Sequence, residues 1–222
     1  MRNLRKLRAM DTPGADAASP RRRGRPPSGG REAIVAATLS LLRERGASRL
    51  TTREVAARAG TAEGTVFYHF GDRTGLLMAV INDGLQAFAD VHFGQSDTAG
   101  DVGTLLDRFT SALEGFLEIA LVAMIAAQSD AELRDGMAEH FLSHNIGPHR
   151  GVELLGAMLR RAQLAGLVRT DIHAEALAMM VIGSCFLRVG LEQMIGADYS
   201  AKFPDRTEVV RTITTMLAPV DR

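Results

Sequence analysis

The side chains whose types and spacing could do chemistry lie between Leu50 and Leu77, in LTTREVAARAGTAEGTVFYHFGDRTGLL. They are hydroxyls, cations, aromatics and one carboxylate: Thr52, Arg53, Glu63, Thr65, Phe67, Tyr68 and His69. They form no acid–base pair and no nucleophile set; the chemistry they suit is contact with a polyanion. The positions fall on two short helices joined by a tight turn, followed by the start of a third, the pattern of a helix-turn-helix DNA reader. The first helix opens at Thr51, where Thr51-x-x-Glu54 has capping-box spacing. Val55, Ala56 and Ala59 give it a small apolar face that suits a close crossing. Ala59-Gly60 ends it, since glycine takes the left-handed conformation of a helix stop. The second helix starts near Thr61 to Glu63, and Val66 and Phe70, four apart, share its inward face. Glu63, Gly64, Thr65, Phe67, Tyr68 and His69 are then distributed around the outer faces. The competing reading is an ordinary helical hairpin in an all-α core. Two helices this polar would bury little, whereas outward aromatics and hydroxyls suit packing against a sugar–phosphate backbone.

The ordered motif Thr51-Thr52-Arg53-Glu54-Val55-Ala56, Ala59-Gly60, Gly64-Thr65-Val66-Phe67-Tyr68-His69-Phe70 and Arg73 to Leu76 resembles the DNA-binding domain of the tetracycline-repressor (TetR/AcrR) family of bacterial regulators, over about residues 31 to 80. The resemblance implies an all-α fold. An N-terminal three-helix helix-turn-helix DNA-binding domain would be followed by a helical-bundle ligand-binding and dimerisation domain. It places phosphate or sugar contacts at Thr52, Thr65, Tyr68 and His69, and a base-reading role at Arg53, for which bidentate contact to guanine is the commonest specific geometry. Three positions depart from the family pattern. Phe67 stands where tyrosine is usual, so a phosphate hydrogen bond is exchanged for contact with a thymine methyl. Arg73 replaces the usual lysine, keeping charge but not geometry. Thr61-Ala62 replaces Val-Ser, which predicts a helix cap at Thr61.

Upstream, Ser19 to Pro27 contains Arg-Gly-Arg-Pro, built on Arg23 and Arg25. This core resembles the AT-hook, in which two arginines flank a glycine on the floor of a narrow, electronegative minor groove. A solvated basic tail that adds non-specific affinity is the equal alternative. Prolines and glycines oppose a helix, so residues 1–30 are expected to form a disordered basic arm off DNA. The whole chain of 222 residues carries 26 basic and 26 acidic groups. The first 80 residues hold 15 Lys and Arg against 7 Asp and Glu; the remainder holds 11 against 19. That asymmetry marks a DNA-facing end and a body that does not bind polyanions. No segment is read as a transmembrane span of about 20 apolar residues, and the N-terminal basic cluster is not followed by the apolar run of a signal peptide. A single cysteine, Cys185, excludes an internal disulfide and fits a reducing cytoplasm.

Helical periodicity organises the rest. Arg31 to Arg45 forms a helix with Ile34, Val35, Thr38, Leu41 and Leu42 inward, ended by Gly46. Asp72 caps a long helix from Arg73 to about Phe93, followed by a loop at Gly94 to Gly100. Further helices are expected at Val102 to Ile119, Ala120 to Ala127, Ala131 to Asn145, His149 to Ala165, His173 to Ile195 and Thr207 to Leu217. The domain limits are then 1–30 for the arm, 31–75 for the reader and 76–222 for the body.

A helix apolar nearly all round is buried on all sides. In a body this small, one side of His173 to Ile195 can be the protein's own core and the other a second subunit. The family resemblance implies a homodimer through the last two helices, with Leu177, Met180, Val181, Ser184, Leu187, Leu191, Ile213 and Leu217 at the interface. Methionine-rich apolar stripes favour an apolar effector, with Phe109, Phe116, Met124, Phe141 and Phe186 as candidate lining. His140 and His144 have metal-ligand spacing, with His149 nearby, but no third ligand type joins them; a polar helix surface is the favoured reading, and no metal or cofactor is expected. The chain is therefore expected to be a non-enzymatic, ligand-responsive regulator. It would be a cytoplasmic repressor released from a palindromic double-stranded operator by a small apolar molecule, with no membrane partner. The alternative is a helical binding or enzymatic body fused to a DNA-targeting domain, without inducer response.

Overall fold

A computed structural model describes residues 30–45, 50–90 and 101–219, and every regular element among them is a helix. The basic arm with Arg23 and Arg25, the expected stop at Gly46, and the expected loop at Gly94 to Gly100 lie outside the described residues. The first helix, α1 (Gly30–Arg45), buries Ile34, Val35, Thr38, Leu41 and Leu42 as their spacing predicts; the Thr38 hydroxyl donates to the Ile34 carbonyl, so its burial leaves no donor unmatched. Helices α2 (Thr52–Ala59) and α3 (Glu63–Phe70) form the helix-turn-helix pair. Thr51 caps α2 by accepting from the Glu54 N–H at 3.2 Å, and Gly60 ends it in the left-handed region at φ 66. The expected cap at Thr61 is not the one used. Ala62 occupies the cap of α3, and no side chain bonds the first-turn amides.

The chain passes from α3 into α4 (Arg73–Ala89) through two residues, Gly71, at φ 72 and ψ −77, and Asp72. That is the γ-turn of positive φ, closed by the Asp72 N–H donating to the Phe70 carbonyl at 2.9 Å. Asp72 then caps α4 by accepting from the Gly75 N–H at 2.8 Å, and a Cβ on Gly75 would collide with the Phe70 carbonyl. The reader helix is thus joined rigidly to α4. This helix ends at Ala89 rather than near Phe93.

The body opens with α5 (Val102–Gln128), one continuous helix where the sequence suggests two. The apolar stripe of its first part passes without a break into the alanine-rich second part, because no Pro or Gly cap intervenes. Helices α6 (Ala131–Ser143), α7 (Pro148–Leu164), α8 (Ala174–Ile195) and α10 (Arg206–Leu217) follow as expected to within about two residues, and one turn, α9 (Ala197–Ser200), was not foreseen. A correction follows for membrane spans: α5 and α8 are long and apolar enough to cross a bilayer by length and composition, with mean hydropathies of 1.7 and 1.6. For α5 the apolar character follows from its central place in the packing, whereas α8 also leaves apolar side chains exposed. Helix α5 lies against α1, α4, α6, α8 and α10, and α8 lies against α5, α7 and α9.

Two cores result. One joins Leu50, Val55, Val66, Leu76, Leu77 and Val80 of the reader end to Ala123, Ala126 and Ala127 of α5 and to Leu133 and Met137 of α6. The other joins the first two-thirds of α5 to α7, α8 and α10. Ion pairs tie the last helices to α5: Arg188 Nε donates to Glu114 Oε1 at 3.0 Å, and Arg206 Nη1 donates to Asp107 Oδ1 at 2.9 Å. Cys185 is buried in the second core, and burial pushes its thiol up to about 12, so it packs as a small apolar group. The turn at Gly71 yields a prediction. Gly71→Ala should cost roughly 1–3 kcal/mol of strain, and thermal unfolding followed by circular dichroism should show a lower Tm, by about 2–4 °C per kcal/mol for a chain of this size. Gly64→Ala, in open space on α3, should hold or raise Tm. Equal midpoints for the two variants would show that the turn is not a constraint.

Candidate nucleic-acid interface

The first turns of α2 and α3 are locked side by side by one hydrogen bond: the Thr52 hydroxyl donates to Glu63 Oε1 at 2.7 Å. With no side-chain cap on α3, the Glu63 carboxylate is also the group that complements the positive end of that helix. Behind them, Arg58 on α2 donates from both terminal nitrogens to the two Glu44 oxygens on α1, at 2.7 and 2.8 Å. The Arg58 hydrogen bonds, aided by Ser40, hold the Glu44 carboxyl down at about 2, so the pair stays charged at neutral pH. This bidentate tie fixes the angle at which α2 meets α1.

The outward side chains of the pair make up the candidate surface. Arg53, Glu63 and His69 are exposed, and Thr52 and Thr65 are half-buried. Phe67 is 52% exposed and Tyr68 84%, large values for aromatic residues in a folded domain. The rings of Tyr68 and His69 meet edge-on at 5.2 Å, which orients both on the outer face of α3. Val66 is fully buried, and Phe70 packs against the first core with the Arg31 guanidinium 5.7 Å from its ring centre. Arg73 is placed differently from the other expected contacts. Its guanidinium pairs with Asp130 at 2.9 Å, reaching from the start of α4 to the cap of α6. Asp130 also accepts from the Glu132 and Leu133 amides, so one carboxylate both starts α6 and holds it to α4. Backbone bonds and Arg73 keep the Asp130 carboxyl below its ordinary range.

A cavity of about 710 Å3 lies in the body, walled by α4, α5, α6, α7 and α8. Four of the five expected lining residues are there: Phe116, Met124, Phe141 and Phe186. Phe109 is not among them. It is fully buried in the second core, behind Phe88, whose ring meets it edge-on at 5.7 Å. Ile81, Leu85 and Phe88 of α4 supply a further wall; their three-to-four-residue spacing is the same for a core stripe and for a cavity wall. His140 and His144 stack ring on ring at 4.0 Å, while the His149 ring bonds Asn145, so the three do not converge. Among the described residues no group of three His, Cys, Asp or Glu side chains could hold a metal ion.

On α8 the expected interface residues divide by face. Met180 is 72% exposed and Leu187 55%, while Leu177, Ser184 and Leu191 are half-buried, as is Ile213 on α10. Val181 and Leu217 are corrected: both are buried in the chain's own second core and cannot meet a partner.

A helix-turn-helix pair on a three-helix base, continued by a helical body with an internal cavity, defines the class: a one-component DNA-binding regulator. Residues 34–80 match the family of bacterial regulatory proteins, tetR family. The chain is similar to the HTH-type transcriptional repressor Rv1474c of Mycobacterium tuberculosis, 26% identical over 172 residues that cover 75% of this chain and 81% of that one. It is also similar to the HTH-type transcriptional regulator TtgR of Pseudomonas putida, 27% identical over 69% of this chain and 77% of that one. In fold it resembles SmeT in complex with triclosan (TM-score 0.63, 20% identity, 85% of this chain and 90% of that one). GusR of Salmonella enterica is alike (TM-score 0.62, 17% identity, 87% and 97%). The family match falls on the reader end of the chain, and the similarity to the two transcriptional regulators extends from there through most of the body.

The pairing of Arg73 carries its own prediction. Arg73→Gln leaves Asp130 able to cap α6 but removes the ion pair. For a pair that is partly exposed on both sides, solvent screening keeps the loss small, read as a small fall in Tm with unchanged helical content. No change in Tm would mean that the pair does not hold α4 to α6.

Proposed function

We propose that this regulator is a homodimeric, cytoplasmic repressor that leaves a palindromic operator when a small molecule enters the cavity. The observation that carries the reading is the double duty of α4. Its start is bound to the reader helix through the turn at Gly71, and its last turns form a wall of the cavity. Helix α6 runs beside it in the same sense, with Asp130 on Arg73 at one end and Phe141 in the cavity wall at the other. A molecule that presses on Phe88 and Phe141 shifts the equilibrium between two placements of α4, and so the spacing of two readers in a dimer. It acts to the extent that it binds one placement better than the other. SmeT, which has this fold and is known in complex with triclosan, supports a small-molecule role for such a body.

In this reading α3 enters the major groove. Arg53 reads a base, Tyr68, His69, Thr65 and Thr52 hold the backbone, and Phe67 lies against a thymine methyl. Glu63, an acceptor only, suits the amino group of cytosine. Arg73 acts through Asp130 on the body. The arm with Arg23 and Arg25 adds phosphate or minor-groove contact. The dimer forms through the outward stripe of α8, where Met180, Leu187 and Met194 stand exposed, joined by Met216 of α10. With Met179 and Ile195 of α8 also exposed, these apolar side chains on the last two long helices are the kind of surface that another subunit covers.

Two outcomes test this. Arg53→Ala should weaken operator binding by about 1–3 kcal/mol and relax selection at one base position, whereas Tyr68→Ala should weaken all sequences alike; selection from a randomised operator pool separates them. An unchanged selected motif for Arg53→Ala would end its base-reading role. For assembly, Leu187→Asp buries an unpaired charge only if a partner covers it. It should give a folded monomer in sedimentation, with steep loss of operator affinity. Val181→Asp, facing the chain's own core, should unfold the body. A wild-type chain that sediments as a monomer alone and on DNA would end the dimer and the spacing mechanism together.

A further inference from the structure

Resting on the reading of the cavity as the effector site, we propose that its ligand is an amphipathic anion: an apolar chain or ring system inside, and one carboxylate-like head at the corner between α6 and α7. The volume of about 710 Å3 falls within the range of small-molecule sites, about 300–1,000 Å3. Its deep walls are uncharged and apolar, with Leu113, Leu117, Ala120 and Ile182 behind the phenylalanines. Among the described residues, the ionisable side chains of the lining sit together: His144 closes α6 and Arg150 stands in the first turn of α7, both at the turn that Asn145 and Gly147 make, and no described Asp or Glu joins them. An amine or quaternary ammonium would meet the Arg150 cation and a dry wall there, and the nearest carboxylate, Glu153, stands outside the lining and is already paired with Arg150. A wholly apolar ligand would bury itself without using the polar corner.

The backbone of that corner points the same way. Asn145 is held at φ 51 and Gly147 at φ 157, which turns the chain so that Gly147, Pro148, Arg150 and Gly151 all reach the lining. No side chain caps α7, so its positive end opens toward the same spot. Arg150 now donates to Glu153 at 2.8 Å across an exposed pair. Such a pair is weak enough in water to be shared with a second carboxylate. The His144 Nδ1 lies 3.0 Å from the His140 carbonyl, which fixes the ring with its Nε2 edge turned away from the helix backbone.

The test uses three probes of one chain length, each below its micelle-forming concentration: dodecanoate, dodecan-1-ol and dodecyltrimethylammonium. The chain contains no tryptophan, so Phe186→Trp places a lone indole in the cavity wall as a reporter. Titrations at pH 7.5 should move the indole emission with dodecanoate bound about ten-fold more tightly than dodecan-1-ol, the scale of one charge-assisted hydrogen bond, and dodecyltrimethylammonium weakest. Adding Arg150→Gln should bring dodecanoate down to the affinity of dodecan-1-ol and leave the latter unchanged. Equal affinity for the acid and the alcohol, or preference for the ammonium, would overturn the head-group assignment while leaving the cavity as the effector site. Binding of dodecanoate at the indole with no release of operator DNA would support the head-group assignment and overturn the effector reading. If none of the probes moves the indole, the proposed ligand class is wrong.

Discussion

Helix α4 is held by two cores at once, and the rest of the molecule is arranged around that constraint. Leu76, Leu77, Val80 and Ile81 fill the core under the reader pair, while Leu85 and Phe88 face the body. Residues that a linear division assigns to the body thus complete the reader, and α1 to α3 cannot bury their apolar faces without them. Because the γ-turn at Gly71 leaves no slack between α3 and α4, a displacement of α4 must be carried to the DNA-facing surface or be absorbed by unfolding. Close packing makes such shifts discrete rather than graded.

Helix α5 plays the complementary part. Its alanine-rich last third, Ala120 to Ala127, lets α1 and α4 come close, while its first two-thirds carry the larger Leu105, Leu106, Phe109 and Leu113 for the second core. One continuous helix therefore belongs to both cores, with the cavity where its small and large stretches meet α4. The stretch that is apolar enough for a bilayer is here enclosed by protein on most sides. Two of its charged residues, Asp107 and Glu114, sit on the flank where Arg188 and Arg206 arrive.

Charge is distributed by the same division of labour. The basic excess gathers in the first 80 residues, yet two arginines there serve the fold: Arg58 ties α2 to α1, and Arg73 ties α4 to α6. Bidentate or partly buried pairing uses the planar guanidinium in a way a lysine could not. At Arg73, where the family motif has lysine, the guanidinium is turned to the Asp130 carboxylate. The acidic excess of the body includes no lining residue of the cavity, whose charged groups are basic.

The sequence by itself determined the helices, their caps at Thr51 and Asp72, the stop at Gly60, the inward Val66 and the outward Tyr68. Those follow from local rules: which residues cap, which tolerate positive φ, and which share a face at three and four residues. It also marked the phenylalanines of the cavity, because bulky apolar stripes are visible in one dimension. What lay beyond it was the assignment of equally spaced apolar residues to different neighbours. Phe88 and Phe109 look alike in periodicity, yet one reaches the cavity and the other is sealed behind it. Val181 and Leu187 lie on one apolar helix, yet only Leu187 faces out. A helix side chain's role depends on which element stands opposite, and that is settled by the crossing of α4, α5 and α8. The same holds for Arg73, whose partner Asp130 is 57 residues away in the chain; only the folded packing of α4 on α6 brings the two charges together.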